Sequence, residues 1–214
     1  DHGCGGGNTI TYLAALGYNN LFGVDVGGPL LEVDRALRML TASSSPRVQI
    51  YDGSNLPFPD GSFDFIFSQQ VIEHLEGSVI EAYVREEERV LLNGGRAYHQ
   101  IPHRWTPWES HTKTWCVHYF PRAIRHRVYG MLGLDADYIE LMLHLRSPLY
   151  FGRLFGKYFG SVKNETLRRL LLQPEAAYYD GNIRLRNLVS VVARLPIVGT
   201  ALAYLVMSDL VAHK

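Results

Sequence analysis

A glycine-rich segment at the beginning of the sequence has the composition of a ligand-binding turn. Residues 1–8 read DHGCGGGN, so four of the eight are glycine. Glycine lets the backbone approach a ligand closely, and a helix that begins after such a turn directs its free N–H groups at an anionic group. The segment fits the dinucleotide fingerprint G-x-G-x-x-G/A only in part, because Asn8 stands at the last position. A nicotinamide-dependent enzyme is therefore disfavoured.

Two aspartates follow short runs that are typical of strands. Asp25 lies at the end of the run 21–26, and Asp52 comes directly after residues 48–51. Open α/β sheets bind their ligands outside the carboxyl ends of the strands. These two carboxylates are therefore candidate hydrogen-bond acceptors for a ligand held by the glycine turn.

Acid–base groups are concentrated later in the chain. Seven of the nine histidines fall between positions 74 and 144, and residues 103–120 are also rich in aromatic and proline residues. This stretch is predicted to be a long functional loop. Glu109 and His111 within it are candidates for a pair that removes a proton from an acceptor, and His74 is a third candidate catalytic residue.

The elements that must position these residues alternate between strand and helix over residues 1–102. Strands are predicted at 21–26, 48–51, 63–68 and 96–101. Helices are predicted after a cap at Asn8 or Thr9, from Pro29, and from a capping box formed by Ser78 and Glu81. This rhythm indicates an α/β fold, a Rossmann-like open and mostly parallel sheet with helices on both faces.

Residues 103–214 are less regular and are interpreted as a substrate-shaping region of the same domain, with a mainly helical insertion and closing edge strands. Helices are predicted at 121–129, 149–172 and 188–195, a strand near 137–141 and an edge strand at 209–214. The apolar run 195–207 is too short to span a bilayer, and Pro196 and Gly199 interrupt it.

Three further segments follow the glycine turn and the aspartates in a fixed order. They read LPFPDGSFD at 56–64, VIEHL at 71–75 and RVLLNGGR at 89–96. Together these motifs resemble the type 11 group of class I S-adenosylmethionine-dependent methyltransferases, which shows D-x-G-C-G-x-G, L-P-F-x-D-x-S-F-D, an E-H pair and R-V-L-x-P-G-G. The resemblance covers residues 1–102, and Asn93 stands where the family often has proline.

The resemblance implies that S-adenosylmethionine is the cofactor and assigns residues to it. These are Asp1, Gly3, Gly5 and Gly7 for the methionyl part, Asp25 for the ribose, Asp52 for the adenine, and Ser68 and Gln69 for the cleft near the sulfonium. In the family a strand normally precedes this first aspartate. The expectation is therefore that the first strand is largely missing from this chain, which would be a fragment with an incomplete core.

No metal site is predicted. Related O-methyltransferases of ubiquinone biosynthesis carry E-x-x-E-H after the fourth strand and bind a divalent metal there, whereas Gln70 replaces the first carboxylate in this chain. Four histidines in the second half lack the cysteine pair of a typical zinc pattern: His99, His103, His111 and His118.

Composition and charge bear on partners. The chain is 47% apolar and 20% charged, which excludes disordered, collagen-like and disulfide-rich chains. Residues 1–95 carry 5 basic and 13 acidic side chains, and residues 96–214 carry 16 and 8. The two halves either neutralise each other or the basic half contacts an anionic partner, such as a phosphorylated substrate or a membrane surface. Two cysteines predict a reducing, cytoplasmic compartment.

The sequence thus favours methyl transfer to a small-molecule or lipid-linked acceptor, at an oxygen atom. Nucleic acid is disfavoured, because residues 68–71 read SQQV where amine-methylating relatives of that kind carry N/D-P-P-Y/F. The alternative is a non-catalytic module of this family that binds a cofactor or a partner. Nothing in the sequence predicts the oligomeric state.

Overall fold

A computed structural model describes residues 1–172 and 183–214. The α-helices are α1 (Asn8–Ala15), α2 (Leu30–Thr41), α3 (Gly77–Val90), α4 (Arg122–Met131), α5 (Ala136–Met142), α6 (Pro148–Gly156), α7 (Thr166–Leu172), α8 (Ile183–Ala193) and α9 (Pro196–Ala203). The strands are β1 (Gly23–Asp25), β2 (Val48–Ile50), β3 (Phe63–Gln69), β4 (Leu91–Ile101), β5 (Trp108–Glu109), β6 (Thr114–Trp115), β7 (Ser161–Asn164) and β8 (Ser208–His213).

The central sheet consists of two groups of strands joined by the first residues of the chain. β1 pairs with β2 in parallel, and β3, β4, β8 and β7 follow one another in a second group. His2 forms a parallel bridge with Val24 of β1, and its amide donates to the carbonyl of Phe67 in β3 at 2.9 Å. The glycine turn therefore starts from the middle of an open, mostly parallel α/β sheet, as predicted.

Helices cover both faces of the sheet because successive side chains of a strand point to opposite sides. Ile66 packs in a core cluster with residues of α3 and α6, such as Ile80 and Phe155. Its neighbour Phe67 packs in another cluster with Ile10 of α1 and residues of α2. This two-sided burial fixes the register of β3 and hence which residues emerge at its carboxyl end.

The second half of the chain closes the sheet. β8 lies antiparallel to both β4 and β7. Helices α7, α8 and α9 lie between β7 and β8 in sequence and share a small apolar cluster that includes Leu170, Val189 and Ala193. The mainly helical insertion predicted for this region is therefore present in the described residues.

Two predicted elements of the second half are wrong. Residues 136–142 form a helix instead of a strand, because the carboxylate of Asp135 caps it by accepting from the amide of Tyr138 at 3.0 Å. The helix predicted over 149–172 is interrupted, since residues 161–164 pair with β8 as strand β7. The predicted strand at 209–214 is present as β8, but it is an inner strand and not an edge.

The predicted helix caps also differ from the structure. Helix α3 begins at Gly77 and has no side-chain cap, so the capping box of Ser78 and Glu81 is wrong. The Glu81 carboxylate instead accepts from Lys157 Nζ at 2.7 Å, which links α3 to the end of α6. Helix α1 is preceded by Gly7 in a left-handed conformation, again without a side-chain cap.

Within residues 1–172 and 183–214, no helix combines the length and the apolar content that crossing a membrane requires.

Candidate functional site

The turn between the sheet and α1 depends on glycine at three positions. Gly3, Gly5 and Gly7 have φ values of +87°, +47° and +74°, in the left-handed region that glycine adopts without strain. A Cβ on Gly3 would lie 2.4 Å from Val71 Cγ2, and a Cβ on Gly7 would lie 2.4 Å from Val33 Cγ1. A Cβ on Gly5 would meet no atom within 4 Å. Gly3 and Gly7 thus permit close packing, while Gly5 borders open space that a ligand can enter.

Asp25 ties this turn to the end of β1. Its Oδ2 accepts from the amide of Gly5 at 2.8 Å, and its Oδ1 accepts from the amide of Val26 at 2.7 Å. Each carboxylate oxygen has two lone pairs, so capacity remains to accept from a ligand hydroxyl. Asp1 is held beside it, because its carbonyl accepts from the amide of Val24 at 3.0 Å.

Asp52 stands exposed after β2 and organises its own loop. Its Oδ1 accepts from the amides of Ser54 and Asn55, each at 2.8 Å. These hydrogen bonds lower the pKa of Asp52, so the group remains a carboxylate over the neutral pH range.

Ser68 and Gln69 behave differently although they are neighbours at the end of β3. Ser68 is only 2% exposed, and its hydroxyl is bonded to Tyr83 Oη at 2.7 Å. The prediction that Ser68 lines the cleft is therefore corrected, because its side chain points into the interior. Gln69 is half-buried and accepts from Thr9 Oγ1 at 2.7 Å, which joins the end of β3 to the first turn of α1.

A buried ionic network lies behind the glycine turn. It was not predicted from the sequence. The Glu87 carboxylate of α3 is bonded to His2 Nδ1 at 2.7 Å and to His99 Nε2 of β4 at 2.8 Å. Burial alone would raise the pKa of Glu87, but the charges and hydrogen bonds of His99 and His2 outweigh it and lower the value to about 2. Since His2 directly precedes Gly3, this network anchors the start of the turn.

The predicted acid–base pair is formed on the short hairpin of β5 and β6. His111 Nδ1 and Glu109 Oε1 are 2.8 Å apart, and Glu109 Oε2 accepts from the amide of Thr112 at 2.6 Å. Burial opposes the charge of Glu109, but these hydrogen bonds lower its pKa to about 2. The hydrogen bond to Glu109 in turn raises the pKa of His111.

The 3₁₀ turn at Ile72–His74, just after β3, brings two more groups to this hairpin. His111 Nε2 lies 3.6 Å from Glu73 Oε1, and His74 Nε2 lies 4.0 Å from the same oxygen. The rings of His74 and His111 are nearly perpendicular, with centroids 5.0 Å apart. The structure thus brings together the three predicted catalytic residues, His74, Glu109 and His111, with Glu73 in a cluster that we name the Glu–His centre.

Glu73 is the member of this centre that sequence reasoning did not select. Its side chain is fully buried, and neither carboxylate oxygen has a hydrogen-bond partner. Burial raises its pKa to about 8, which favours the neutral acid when no cation is bound. The available signal was its place beside His74 in the E-H pair. The ligand atoms of Glu73, His74 and His111 lie within 4.8 Å of one another, which is close enough to hold a metal ion.

The fold is shared with solved S-adenosylmethionine-dependent methyltransferases. The structure of such a protein from Mesorhizobium loti superimposes on 100% of this chain and 89% of its own, with a TM-score of 0.55 and 17% sequence identity. The likeness shows that the two proteins share a Rossmann-like α/β fold.

A family model matches the sequence of the first half. Residues 1–99 match the model described as a methyltransferase domain, of the type 11 group. Over these residues the chain is similar to that group, as predicted, and the solved neighbour from Mesorhizobium loti is an S-adenosylmethionine-dependent methyltransferase, in line with the predicted cofactor. The glycine turn, both aspartates and Glu73–His74 all lie within the matched residues.

Two curated relatives match the same part of the chain. Ajmaline N-methyltransferase of Rauvolfia serpentina is 30% identical over 95 residues, and the probable tRNA methyltransferase 9B of Mus musculus is 37% identical over 99 residues. The matches cover 44% and 45% of this chain but 32% and 20% of the relatives. The chain therefore spans about a third or less of these proteins, and their names specify different acceptors.

Proposed function

We propose that this protein transfers the methyl group of S-adenosylmethionine to an oxygen atom of a small-molecule or lipid-linked acceptor. One observation carries the proposal: the imidazole of His111, in the β5–β6 hairpin, has its Nδ1 fixed by a buried carboxylate at 2.8 Å and its Nε2 directed at the turn that follows β3. An acceptor hydroxyl must lose a proton during methyl transfer, and this pair is built to receive it.

The residues at the sheet edge fit the cofactor. Gly5 borders open space, Asp25 retains acceptor capacity for ribose hydroxyls, and Asp52 is an exposed carboxylate for the adenine end. Gln69, at the end of β3, is proposed to face the sulfonium, and its bond from Thr9 Oγ1 fixes its side chain there. When bound, S-adenosylmethionine supplies an electrophilic methyl carbon, whose bond to sulfur breaks as its bond to the acceptor oxygen forms.

His111 is proposed as the base. Since Nδ1 is engaged by Glu109, the neutral imidazole keeps its lone pair on Nε2, the atom that faces the Glu–His centre. Protonation of Nε2 gives an imidazolium ion that the ionised Glu109 stabilises. Glu73, whose Oε1 lies 3.6 Å from His111 Nε2, is proposed to orient the acceptor in its neutral form.

A cavity of about 280 Å³ lies next to this centre and suits an acceptor with an anionic group. Its wall carries Arg104, His118, Arg125, His144 and Arg146 together with Glu76 and Glu140. Because Glu140 is ion-paired with Arg125, the excess positive charge comes from the other two arginines. The wall is continuous with the Glu–His centre, because the amide of His144 donates to the carbonyl of Glu73 at 2.7 Å. Arg104 is exposed there and makes no ion pair with a described residue, so its guanidinium is available for a phosphate or carboxylate.

Label transfer tests the proposal. The protein is incubated with methyl-labelled S-adenosylmethionine and a cell extract, and label is measured in the water-soluble metabolite, lipid and nucleic-acid fractions. We expect label in metabolites or lipids, in a form stable to conditions that hydrolyse methyl esters. The variant His111→Ala should reduce it about 10²–10⁴-fold, whereas His213→Gln should not, because His213 pairs with Arg96 at the opposite end of the β4–β8 pairing from the candidate site.

Three results would contradict the proposal. Label confined to the nucleic-acid fraction would show that the acceptor is nucleic acid and not a small molecule or lipid. Label attached to nitrogen would exclude O-methylation. Tight cofactor binding without label in any fraction would identify the non-catalytic alternative.

A further inference from the structure

We propose that Glu73, His74 and His111 form a binding site for one divalent transition-metal ion and that this site binds Zn²⁺. The set consists of two imidazoles and one carboxylate, which is the donor set of catalytic zinc sites that keep a position open for a substrate. The residues come from two separate segments, the turn after β3 and the β5–β6 hairpin.

The distances are close to those of a coordinated set. Zinc bonds of about 2.0–2.1 Å at tetrahedral angles place neighbouring ligand atoms about 3.3 Å apart. Glu73 Oε1 lies 3.6 Å from His111 Nε2 and 4.0 Å from His74 Nε2. All three ligand atoms lie within 4.8 Å of one another, so the side chains need to approach one another by at most about 1.5 Å to reach the tetrahedral spacing.

Both histidines are held in the orientation that metal binding requires. His111 Nδ1 is bonded to Glu109 Oε1 at 2.8 Å, and His74 Nδ1 is bonded to the carbonyl of Met142 at 2.6 Å. Acceptors at Nδ1 place the proton on that nitrogen and leave the Nε2 lone pair free. Each Nε2 then faces the carboxylate of Glu73. Such outer hydrogen bonds are a regular feature of histidines that bind metals.

Glu73 supplies an independent observation. Its side chain is fully buried and its two oxygens have no hydrogen-bond partner. Buried polar groups in native proteins are nearly always paired, and an unpaired carboxyl group lowers stability. A cation between the two imidazoles would satisfy this carboxylate without any change of fold.

The catalytic consequence rests on the proposed function, but the binding site does not. With the ion bound, His111 Nε2 is a ligand and cannot also be the base. An acceptor hydroxyl at the open position would instead lose its proton to solvent because coordination lowers its pKa. His111 therefore has a free Nε2, and can act as the base, only in the metal-free protein.

Titration of the metal-free protein with Zn²⁺ tests the inference without using activity. We expect one saturable site per chain by calorimetry, and a Co²⁺ absorption spectrum without a thiolate band, because neither cysteine takes part. The variants Glu73→Gln and His74→Gln should weaken binding by at least about a hundredfold. Glu109→Gln, which removes only an outer hydrogen bond, should weaken it about 10–100-fold.

The variant His126→Gln is the matched control, since it removes an imidazole paired with a different carboxylate, Glu140. Near-ultraviolet circular dichroism confirms that each variant is folded, and His74→Gln remains informative if Glu73→Gln does not fold, because His74 is partly exposed. No saturable site, or equal affinity in His74→Gln and the wild type, would overturn the inference. Metal binding without label transfer would overturn only the proposed function. Label transfer without metal binding would overturn only the proposed metal site.

Discussion

The carboxylate of Asp25 and the backbone amide of Gly5 are joined by a hydrogen bond of 2.8 Å, although the two residues stand twenty positions apart. The bond connects the end of β1 to Gly5, the glycine of the turn that borders open space. The side chain proposed to bind the ribose therefore also sets the shape of the loop proposed to bind the methionyl part. A change at Asp25 is therefore expected to alter both parts of the proposed cofactor site.

Replacing Asp25 should therefore weaken cofactor binding by two routes. Asp25→Ala removes the acceptor for the ribose hydroxyls and releases the Gly5 amide. Leaving hydrogen-bonding groups unpaired costs about 1–3 kcal/mol, so we expect the Kd for S-adenosylmethionine to rise about 10- to 100-fold by calorimetry.

Asp34→Ala is the control for this variant. Asp34 Oδ1 accepts from the amides of Arg47 and Val48 at 2.6 and 3.0 Å, so it also holds two backbone groups but lies away from the glycine turn. Its substitution should lower stability without changing the Kd. Equal Kd values for Asp25→Ala and the wild type would show that the cofactor does not use this carboxylate.

Substitutions within the glycine turn should separate packing from ligand access. Gly7→Ala places a Cβ 2.4 Å from Val33 Cγ1, whereas Gly5→Ala meets no atom within 4 Å. Both variants incur the strain of a positive φ, but only the first also overpacks the core, which costs about 1–3 kcal/mol. We expect urea denaturation to show the free energy of unfolding of Gly7→Ala lower than that of Gly5→Ala by about this amount.

For cofactor affinity we expect the opposite order, with Gly5→Ala more affected than Gly7→Ala. A Cβ on Gly5 enters the open space beside the turn, so Gly5→Ala should be folded yet bind S-adenosylmethionine more weakly. If Gly5→Ala bound the cofactor as the wild type does, the open space at Gly5 would not be part of the site.

The first half of the fold was predictable because its signals are local. Strand β3 is recognisable from residues 63–68, and the alternation of faces along it is a consequence of strand geometry. The assignment of Ser68 to the cleft nevertheless failed. Neighbouring strand residues face opposite sides, so a difference of one residue separates the buried hydroxyl of Ser68 from the half-buried amide of Gln69. The sequence pattern at the strand end does not fix that choice.

The Glu–His centre depends on contacts that are not local. Glu73 and His111 are separated by 38 positions, and they meet because two strands of two residues each form a hairpin next to the turn after β3. Strands this short have no periodicity that a sequence can reveal. The pairing of Glu109 with His111 was predictable, since two residues of separation already place them within reach.

Acid should destabilise the protein through Glu87. The pKa of this buried carboxylate is lowered in the folded state, to about 2, from 4.5. Its contribution to stability is therefore complete above pH 4.5 and is lost as the pH falls through 4.5 toward 2. We expect the free energy of unfolding to decrease over this range by up to about 3 kcal/mol on account of this group.

Denaturation curves of Glu87→Gln at several pH values measure this contribution. The variant should be less stable at pH 6, and its stability should depend less on pH between 4.5 and 2. Glu32→Gln, which alters an exposed carboxylate on α2, should keep the wild-type pH dependence. A wild-type slope in Glu87→Gln would assign the acid sensitivity to other carboxylates.

The coupling between Glu109 and His111 should be visible in the titration of one imidazole. The hydrogen bond to Glu109 raises the pKa of His111 above 6.5, so the protonated form is favoured in the folded protein. The stabilisation it provides is complete below pH 6.5 and is lost as the pH rises through the raised pKa. In metal-free protein held with a chelator, the NMR signals of the His111 ring should titrate above pH 6.5.

Glu109→Gln should reverse this shift, because the amide keeps the shape of the side chain but removes its charge. Burial then disfavours the imidazolium and only the charge of Glu73 still favours it, so we expect the pKa of His111 to fall. Glu140→Gln, which removes a carboxylate paired with His126, should leave the His111 titration unchanged. An unchanged pKa in Glu109→Gln would mean that the two side chains are not bonded in solution. His111 would then lack the partner that makes it an effective base, and the proposed proton transfer would lose its physical support.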